Sequence, residues 1–261
     1  MHRHSNFSKN TVEEYFNNRA GTYEKHSTWV SDIATNSVPL KFLSRRKNLG
    51  NLLDAGAGTG FLSHLLTSEF PFNSIYLVDS SPDMLKKASE KMLNANVFNV
   101  SIESFCEETN EIFDTILLRQ ILHYVENVDV VIKLLNSILS DDGVIYVGQI
   151  LVDDYACAEW HDELIRMISK NRRRTFIYGE YCKYFSENKF EIIENEITVF
   201  EDNICDFHKR SDNKALSFDF LMGRMKPLLT DEIASKMLVR VSNDNLYFYP
   251  KFCHLLLKKQ I

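Results

Sequence analysis

Three glycines at alternate positions, Gly56, Gly58 and Gly60, follow directly on Asp54 and Ala55. Glycine takes positive φ without steric cost and lets a ligand lie against bare backbone. The apolar pair Leu52 and Leu53 precedes them, and Leu62, Leu65 and Leu66 follow at helical spacing. The pattern predicts a strand, a tight loop and a helix start, with the free N–H groups of the first turn available to polar ligand atoms. It departs from the dinucleotide fingerprint G-x-G-x-x-G. The third glycine arrives one residue early, and Phe61 stands where that fingerprint requires glycine. A second chemical residue is Asp79, which ends the run Ser-Ile-Tyr-Leu-Val-Asp. Its distance past Gly60 is close to that of an acid that accepts from both ribose hydroxyls and repels a 2′-phosphate. Taken alone, the glycines also suit a βα turn with no ligand.

The string Asp-Ala-Gly-Ala-Gly-Thr-Gly at residues 54–60 resembles motif I of the class I S-adenosylmethionine (SAM)-dependent methyltransferases. Val-Asp-Ser-Ser-Pro-Asp-Met-Leu at residues 78–85 is similar to their second motif. The resemblance implies SAM as cofactor, with S-adenosylhomocysteine as product. It implies that Asp54, Ala55, Gly56, Gly58 and Gly60 cradle the cofactor, that Asp79 and Ser80 lie at its ribose, and that Met84 packs on its adenine. A methionine on a helix suits plain core equally. In the family an acid near the end of the third strand takes the adenine amino group. Counting leaves either Glu103, with Ser104 beside it, or Ser101, where the usual acid would be missing.

Tyr-Phe-x-x-Arg-Ala-x-x-Tyr at residues 15–23 looks like the N-terminal region of the ubiquinone, menaquinone and small-metabolite methyltransferases. Helices there lie over the cofactor mouth. Tyr15, Arg19 and Tyr23 thereby become candidates to meet the methionine part of SAM, since a guanidinium fork matches a carboxylate. The same aromatics would also serve to pack a helix on the core. The segment Arg-Gln-Ile-Leu-His-Tyr-Val at residues 119–125 resembles the family's post-strand segment. Arg119 and Gln120 would border the methionine group, with Tyr124 on the acceptor side. His123 is the candidate general base, because histidine titrates near neutrality; a histidine that only holds the loop is the alternative. Trp160 and His161 fall at the expected edge of the acceptor pocket. Arg173 sits in the dense basic run 171–174, which is either a solvated face or an anchor for an acidic substrate. No metal-ligand set is read.

Elements must position these residues. Thr11 to Glu14 has the form of a capping box, so a helix is expected to start there. Ser27 is expected to cap a second helix. Strands are expected at 74–79, 97–102, 112–118, 144–151 and 190–200, with a β-rich close at 246–258. An apolar stripe of Val128, Val131, Ile132, Leu135 and Ile138 predicts a helix that Gly143 ends. Helices are expected at 155–169 and 178–188, and 201–244 reads as mostly helical. The alternation argues for an α/β fold with a parallel sheet covered on both faces. The resemblance sharpens this to a doubly wound, Rossmann-like, seven-stranded sheet of order 3-2-1-4-5-7-6 with strand 7 antiparallel. An N-terminal helical cover and a helical insertion between strands 6 and 7 complete it. Residues 1–48 would form the cover, 49–152 the SAM-binding core, and 153–261 the acceptor-pocket helices and sheet-edge strands of the same domain.

The 261 residues suit one such domain. A net charge of −6 argues against a general nucleic-acid or membrane-surface binder, which would carry a basic excess. No apolar run approaches the roughly 20 residues of a membrane span. The five cysteines are scattered and never spaced C-x-x-C, which points to reduced thiols and a cytoplasmic protein. The Asn/Asp-Pro-Pro-Tyr/Phe motif of amino-directed nucleic-acid methyltransferases is absent after strand four, and so is a Pro-Cys nucleophile. The expected reaction is methyl transfer from SAM to an O, N or C atom of a small metabolite by in-line displacement. A base is needed only if the acceptor must lose a proton. A protein or RNA methyltransferase, and a SAM-fold protein that transfers nothing, are the alternatives. A monomer and a homodimer are both compatible with the chain.

Overall fold

A computed structural model describes residues 9–169, 171–211 and 216–260. The chain opens with four helices, α1 (Lys9–Arg19), α2 (Tyr23–His26), α3 (Thr28–Ser31) and α4 (Ile33–Leu43). Strands and helices then alternate: β1 (Asn51–Ala55), α5 (Phe61–Glu69), β2 (Ser74–Val78), α6 (Pro82–Lys91), β3 (Asn96–Phe98), α7 (Ile102–Glu108), β4 (Phe113–Arg119), α8 (Val128–Ile138) and β5 (Leu139–Val152). Next come α9 (Tyr155–Ile168), β6 (Phe176–Ile177), α10 (Tyr178–Glu187) and β7 (Phe190–Val199). The remainder is β8 (Asp202–Asn203), α11 (Ile204–Arg210), α12 (Phe218–Met225), α13 (Asp231–Lys236), β9 (Arg240–Ser242), β10 (Asn245–Phe248) and β11 (Lys251–Lys259).

The main sheet runs β3-β2-β1-β4-β5-β11-β7, with β6 added beside β5. β1 pairs in parallel with β2 and β4, and β11 is antiparallel to both β5 and β7. This is the expected order. Successive side chains on a strand point to opposite faces, and the cores divide accordingly. Leu53, Ile116, Leu118, Val147 and Leu255 pack under α8 and α10 on one face. Leu52, Leu117, Tyr146 and Leu256 pack against Phe42 of α4 and Leu66 of α5 on the other. Strands buried on both sides are near-continuous apolar runs, which is why β1, β4 and β5 carry so few polar residues. A separate cluster, including Leu164, Phe207, Leu221, Met225 and Phe248, holds α9 to the insertion between β7 and β11.

Four local expectations are corrected. The sheet has eight strands, not seven, because the two-residue β6 joins it; the insertion holds a three-stranded sheet β8-β10-β9 as well as helices. The third strand stops at Phe98, since the Ser101 hydroxyl accepts the Ser104 N–H and starts α7 there. Gly143 does not end α8: Leu139 closes that helix by donating to the Leu135 carbonyl, and β5 begins at once. Ser27 caps nothing with its side chain, which receives Arg19 instead; Asp32 caps α4 through the Thr35 N–H at 2.7 Å. In addition, α1 already runs from Lys9, ahead of Thr11. Among the described residues no helix is long and apolar enough to cross a membrane.

Candidate functional site

The glycine loop leaves β1 at the carboxyl edge of the sheet. Gly56, Gly58 and Gly60 take φ of 86°, 54° and 69°. A Cβ on Gly56 would come within 2.9 Å of Ile121, and one on Gly60 within 2.7 Å of Met92. A Cβ on Gly58 would meet nothing within 4 Å, so that stretch of backbone faces open space. Asp79 ties the loop to the next helix: Oδ2 accepts the Gly58 N–H and Oδ1 the Ser81 N–H, both at 2.8 Å. Burial raises the Asp79 carboxyl above the usual range, against the pull of backbone N–H groups. Asp54 accepts from the Ser63 hydroxyl, and burial pushes its carboxyl up to about 6.

Two cavities border this loop, and a third shares residues with both. The widest, about 420 Å³, is bordered by Gly56, Asp79, Ser80, Ser101, Glu103 and Ser104, with Val100, Ile102 and Ile121 as apolar wall. Ser101 caps α7, and the cavity's acids are Asp79, Glu103 and Glu126, of which Glu103 stands in the first turn of α7 just past the third strand. The loop cavity, about 50 Å³, lies between Asp54, Gly56, Gly58 and Arg119, beneath Tyr23 and Trp29. The Arg119 guanidinium sits 4.8 Å from the Trp29 ring centre and donates to the Trp29 carbonyl at 3.1 Å. Its Nε is buried with no hydrogen-bond partner. Burial lowers the Arg119 pKa from its ordinary value.

The inner cavity, about 60 Å³, shares Tyr23 and Trp29 with the loop cavity and Tyr124 with the wide one. Tyr15, Arg19, Gln120, His123, His161, Arg172 and Arg210 also line it. Arg19 lies between Tyr15 and Tyr23, 5.1 Å from each ring centre, and donates to the hydroxyls of Tyr15 (2.8 Å) and Ser27 (3.0 Å). Arg172 reaches the Arg174 carbonyl through Nε, while its Nη2 is buried without a partner. Arg210 is paired with Asp202. Gln120 takes a φ of 56° at the end of β4, and its Nε2 is another buried orphan. Strained backbone of this kind is found where a site demands it. Burial first, and then the Arg172 charge, hold His123 and His161 well below the ordinary histidine range.

A family model described as a methyltransferase domain matches residues 33–194, which hold the loop, Asp79 and Arg119. This chain belongs to that family. It is a class I SAM-dependent methyltransferase, and SAM is its cofactor. Its relatives include malonyl-[acyl-carrier protein] O-methyltransferase 2 of Ilyobacter polytropus, 23% identical over 230 residues and 86% of each chain. Among solved structures, the YcgJ protein of Bacillus subtilis superposes with a TM-score of 0.71 at 18% identity, covering 87% of this chain and 98% of its own. The [4+2]-cyclase SpnF superposes at 0.64 and 14% identity, covering 96% of each chain. These two likenesses show the fold.

The methyltransferase's own residues fit SAM on two structural counts. Arg119, whose buried Nε has no partner, lines the cavity beside the loop, where its guanidinium suits a carboxylate, and the open face at Gly58 admits a ligand against bare backbone. Most residues singled out from sequence gather here, but not all where expected. Tyr15 and Arg19, expected at the methionine end, line the inner cavity; Tyr23 borders both. Ala55 and Gly60 shape the loop from within and line none of the three cavities. Met84 is buried and also lines none of them; its N–H is held by the Ser81 hydroxyl. His161 borders the inner cavity, whereas Trp160 packs on Phe248 and donates to the Met225 carbonyl, in the separate cluster. Neighbours on a helix point about 100° apart, so both could not face one pocket. Arg173 borders the wide cavity, and the run is no solvated face. Arg173 donates to the Tyr124 carbonyl, and Arg174 to those of Val125 and Glu126, strapping the loop after β4. Arg210, Trp29 and Gln149 were missed as site residues, and Arg172 was read only as part of the basic run, with Arg173 singled out. Of these three, Gln149 left a sequence signal, a polar residue inside an apolar strand.

Proposed function

We propose that this enzyme moves the methyl group of SAM to an oxygen of a small acceptor that carries an anionic group. The observation that carries this reading is the inner cavity's charge. Arg172 has a buried Nη2 with no partner, and among the described residues Arg19 donates to neutral hydroxyls. Half-buried guanidiniums with no carboxylate hydrogen-bonded to them among the described residues suit an anion. The oxygen acceptor is supported by the relative's name, an O-methyltransferase acting on malonyl-[acyl-carrier protein]. The reading keeps the division into cover, cofactor core and acceptor-pocket residues at 48/49 and 152/153. Five free cysteines support a reducing, cytoplasmic setting.

Bound SAM supplies a methyl already activated by a positive sulfur, so the protein's part is binding and orientation. In this reading Asp79 and Ser80 hold the ribose, Glu103 the adenine amino group, and Arg119 the methionyl carboxylate. Arg19 and Arg172 fix the acceptor's anionic end, and Tyr15, Tyr23 and Tyr124 exclude water. Alignment of this kind is worth several kcal/mol.

The test is transfer of labelled methyl from SAM to a panel of acids, hydroxy acids and amines. The expected result is an O-methyl product, with Arg172→Ala raising KM at least 10-fold and kcat much less. Transfer to uncharged amines alone would contradict the reading. No transfer to any acceptor would favour a non-transferring member, as the fold shared with a cyclase allows.

A further inference from the structure

The two histidines of the inner cavity carry their ring protons on opposite nitrogens. The Thr175 hydroxyl has one proton, and at 2.5 Å it gives that proton to Asp162 Oδ1. Toward His161 Nδ1, 2.8 Å away, it can then only accept. His161 is therefore protonated at Nδ1, and its Nε2 is a bare lone pair on a ring that lines the cavity. At His123 the order is reversed. His123 Nδ1 lies 3.0 Å from Gln149 Nε2 and 3.4 Å from Gln149 Oε1. The two shortest contacts of Gln149 Nε2, to His123 Nδ1 and to Gln120 Oε1 at 3.2 Å, take its two hydrogens ahead of the Ile150 carbonyl at 3.3 Å, which assigns the His123 proton to Nε2.

We infer that His161, not His123, takes the proton of a hydroxyl acceptor, and that Thr175 and Asp162 carry that proton out of the cavity. This rests on the methyl-transfer reading above and names the catalytic base within it. As the acceptor O–H bond breaks, its proton goes to His161 Nε2. The electron pair left on the oxygen forms the bond to the incoming methyl, and sulfur keeps the pair of the C–S bond. The Nδ1 proton passes to Thr175 Oγ1, and the Thr175 proton to Asp162. His161 ends neutral, and Asp162, which is partly exposed, releases the proton to water. The groups around the ring explain why a relay is needed. Arg172 and Arg210 both oppose an imidazolium there. Asp202 is taken by Arg210, Phe207 offers a ring edge, and His123 is neutral. Among the described residues Asp162 is the carboxylate joined to the ring by hydrogen bonds. His123, with its proton facing the cavity, is a donor that steadies the acceptor oxygen.

The test uses the full chain labelled with nitrogen-15 in histidine and saturated with S-adenosylhomocysteine. Long-range nitrogen–proton spectra, assigned with His161→Gln and His123→Gln, should show His161 protonated at Nδ1 and His123 at Nε2. Thr175→Val should abolish the first state, and Thr175→Ser should restore it. With hydroxybenzoates as acceptors, Thr175→Val should lower kcat at pH 7 by 10- to 100-fold at unchanged KM. Its rate should climb as the acceptor ionises unaided, and Thr175→Ser should recover the wild-type pH profile. An Nε2–H state at His161, or a Thr175→Val profile parallel to wild type, overturns the relay and leaves methyl transfer standing. Turnover on carboxylates with no hydroxyl accepted does the same. Wild-type transfer to no oxygen acceptor at all overturns both readings.

Discussion

Asp54 is the residue whose chemistry sits least comfortably in the fold. Its carboxyl is 4% exposed, and burial moves its pKa from 3.8 to about 6. A folded-state pKa above the unfolded value means that the associated stability is complete below about 3.8 and is lost as pH rises through about 6. Asp54→Asn keeps an oxygen for the Ser63 hydroxyl and removes the buried charge. It should therefore stabilise the free protein by about 2–3 kcal/mol at pH 7.5 and by nearly nothing at pH 4. Urea denaturation at the two pH values checks this; equal gains at both would refute the burial argument. Asp54 lines the loop cavity, so this cost is borne beside the proposed cofactor site. At this scale the sequence was most legible. Gly56, Gly58, Asp79 and Arg119 are local signals, each readable from its neighbours. Thr175 is 13 or 14 residues from Asp162 and His161 and meets them across the turn from α9 to β6, a spacing that no helix or strand period reports, and Asp202 joins them from the insertion.

Elements are joined by small polar devices that periodicity does not reveal. Ser81 starts α6 by accepting the Met84 N–H, and it also donates to Asn17 Oδ1 of α1 at 2.6 Å. One hydroxyl thus caps a helix and pins the cover to the cofactor core. Ser81→Ala should cost about 1 kcal/mol of stability, the usual scale of a lost N-cap. Hydrogen exchange along residues 12–19 should accelerate more than along α8, which Asn127 caps independently. Uniform acceleration in both would mean the link to α1 carries nothing special. Strong periodicity made α8, β4 and β7 readable in type and approximate span. Boundaries fixed by a single hydroxyl or a tight turn, as at Ser101 and Leu139, were not, because propensity there is outvoted by tertiary pairing.

Across the whole molecule, one hydrogen-bonded chain crosses the sheet. The Tyr146 hydroxyl meets His254 Nδ1 at 2.8 Å, His254 Nε2 meets Thr198 at 2.9 Å, and Thr198 meets Thr35 of α4 at 3.3 Å. It links β5, β11, β7 and the N-terminal cover. Burial lowers His254 to about 3, and His123 and His161 also lie well below the ordinary 6.5. Each is neutral when folded, while the unfolded chain binds protons below about 6.5. Stability should therefore fall as pH drops from 6.5, by up to about 2 kcal/mol per histidine at pH 5. The Asp54 effect has the opposite sign and offsets part of this. Denaturation midpoints at pH 7 and pH 5 should show a clear net loss, and His254→Asn should reduce it; a flat profile would contradict the burial of neutral imidazoles. The strand order was anticipated through the family resemblance, since periodicity gives elements but not their neighbours. The small sheet inside the insertion was hidden because its strands are two to four residues long.

The central claim is that the glycine loop, Asp79 and Arg119 together hold SAM. Calorimetric titration of S-adenosylhomocysteine into the full chain tests it most directly. One binding site is predicted for the wild type, with Asp79→Ala and Arg119→Ala each weakening affinity by about 10- to 100-fold, the scale of a charged hydrogen bond. A wild-type chain that binds no S-adenosylhomocysteine, or both variants binding it as tightly as the wild type, would contradict the account.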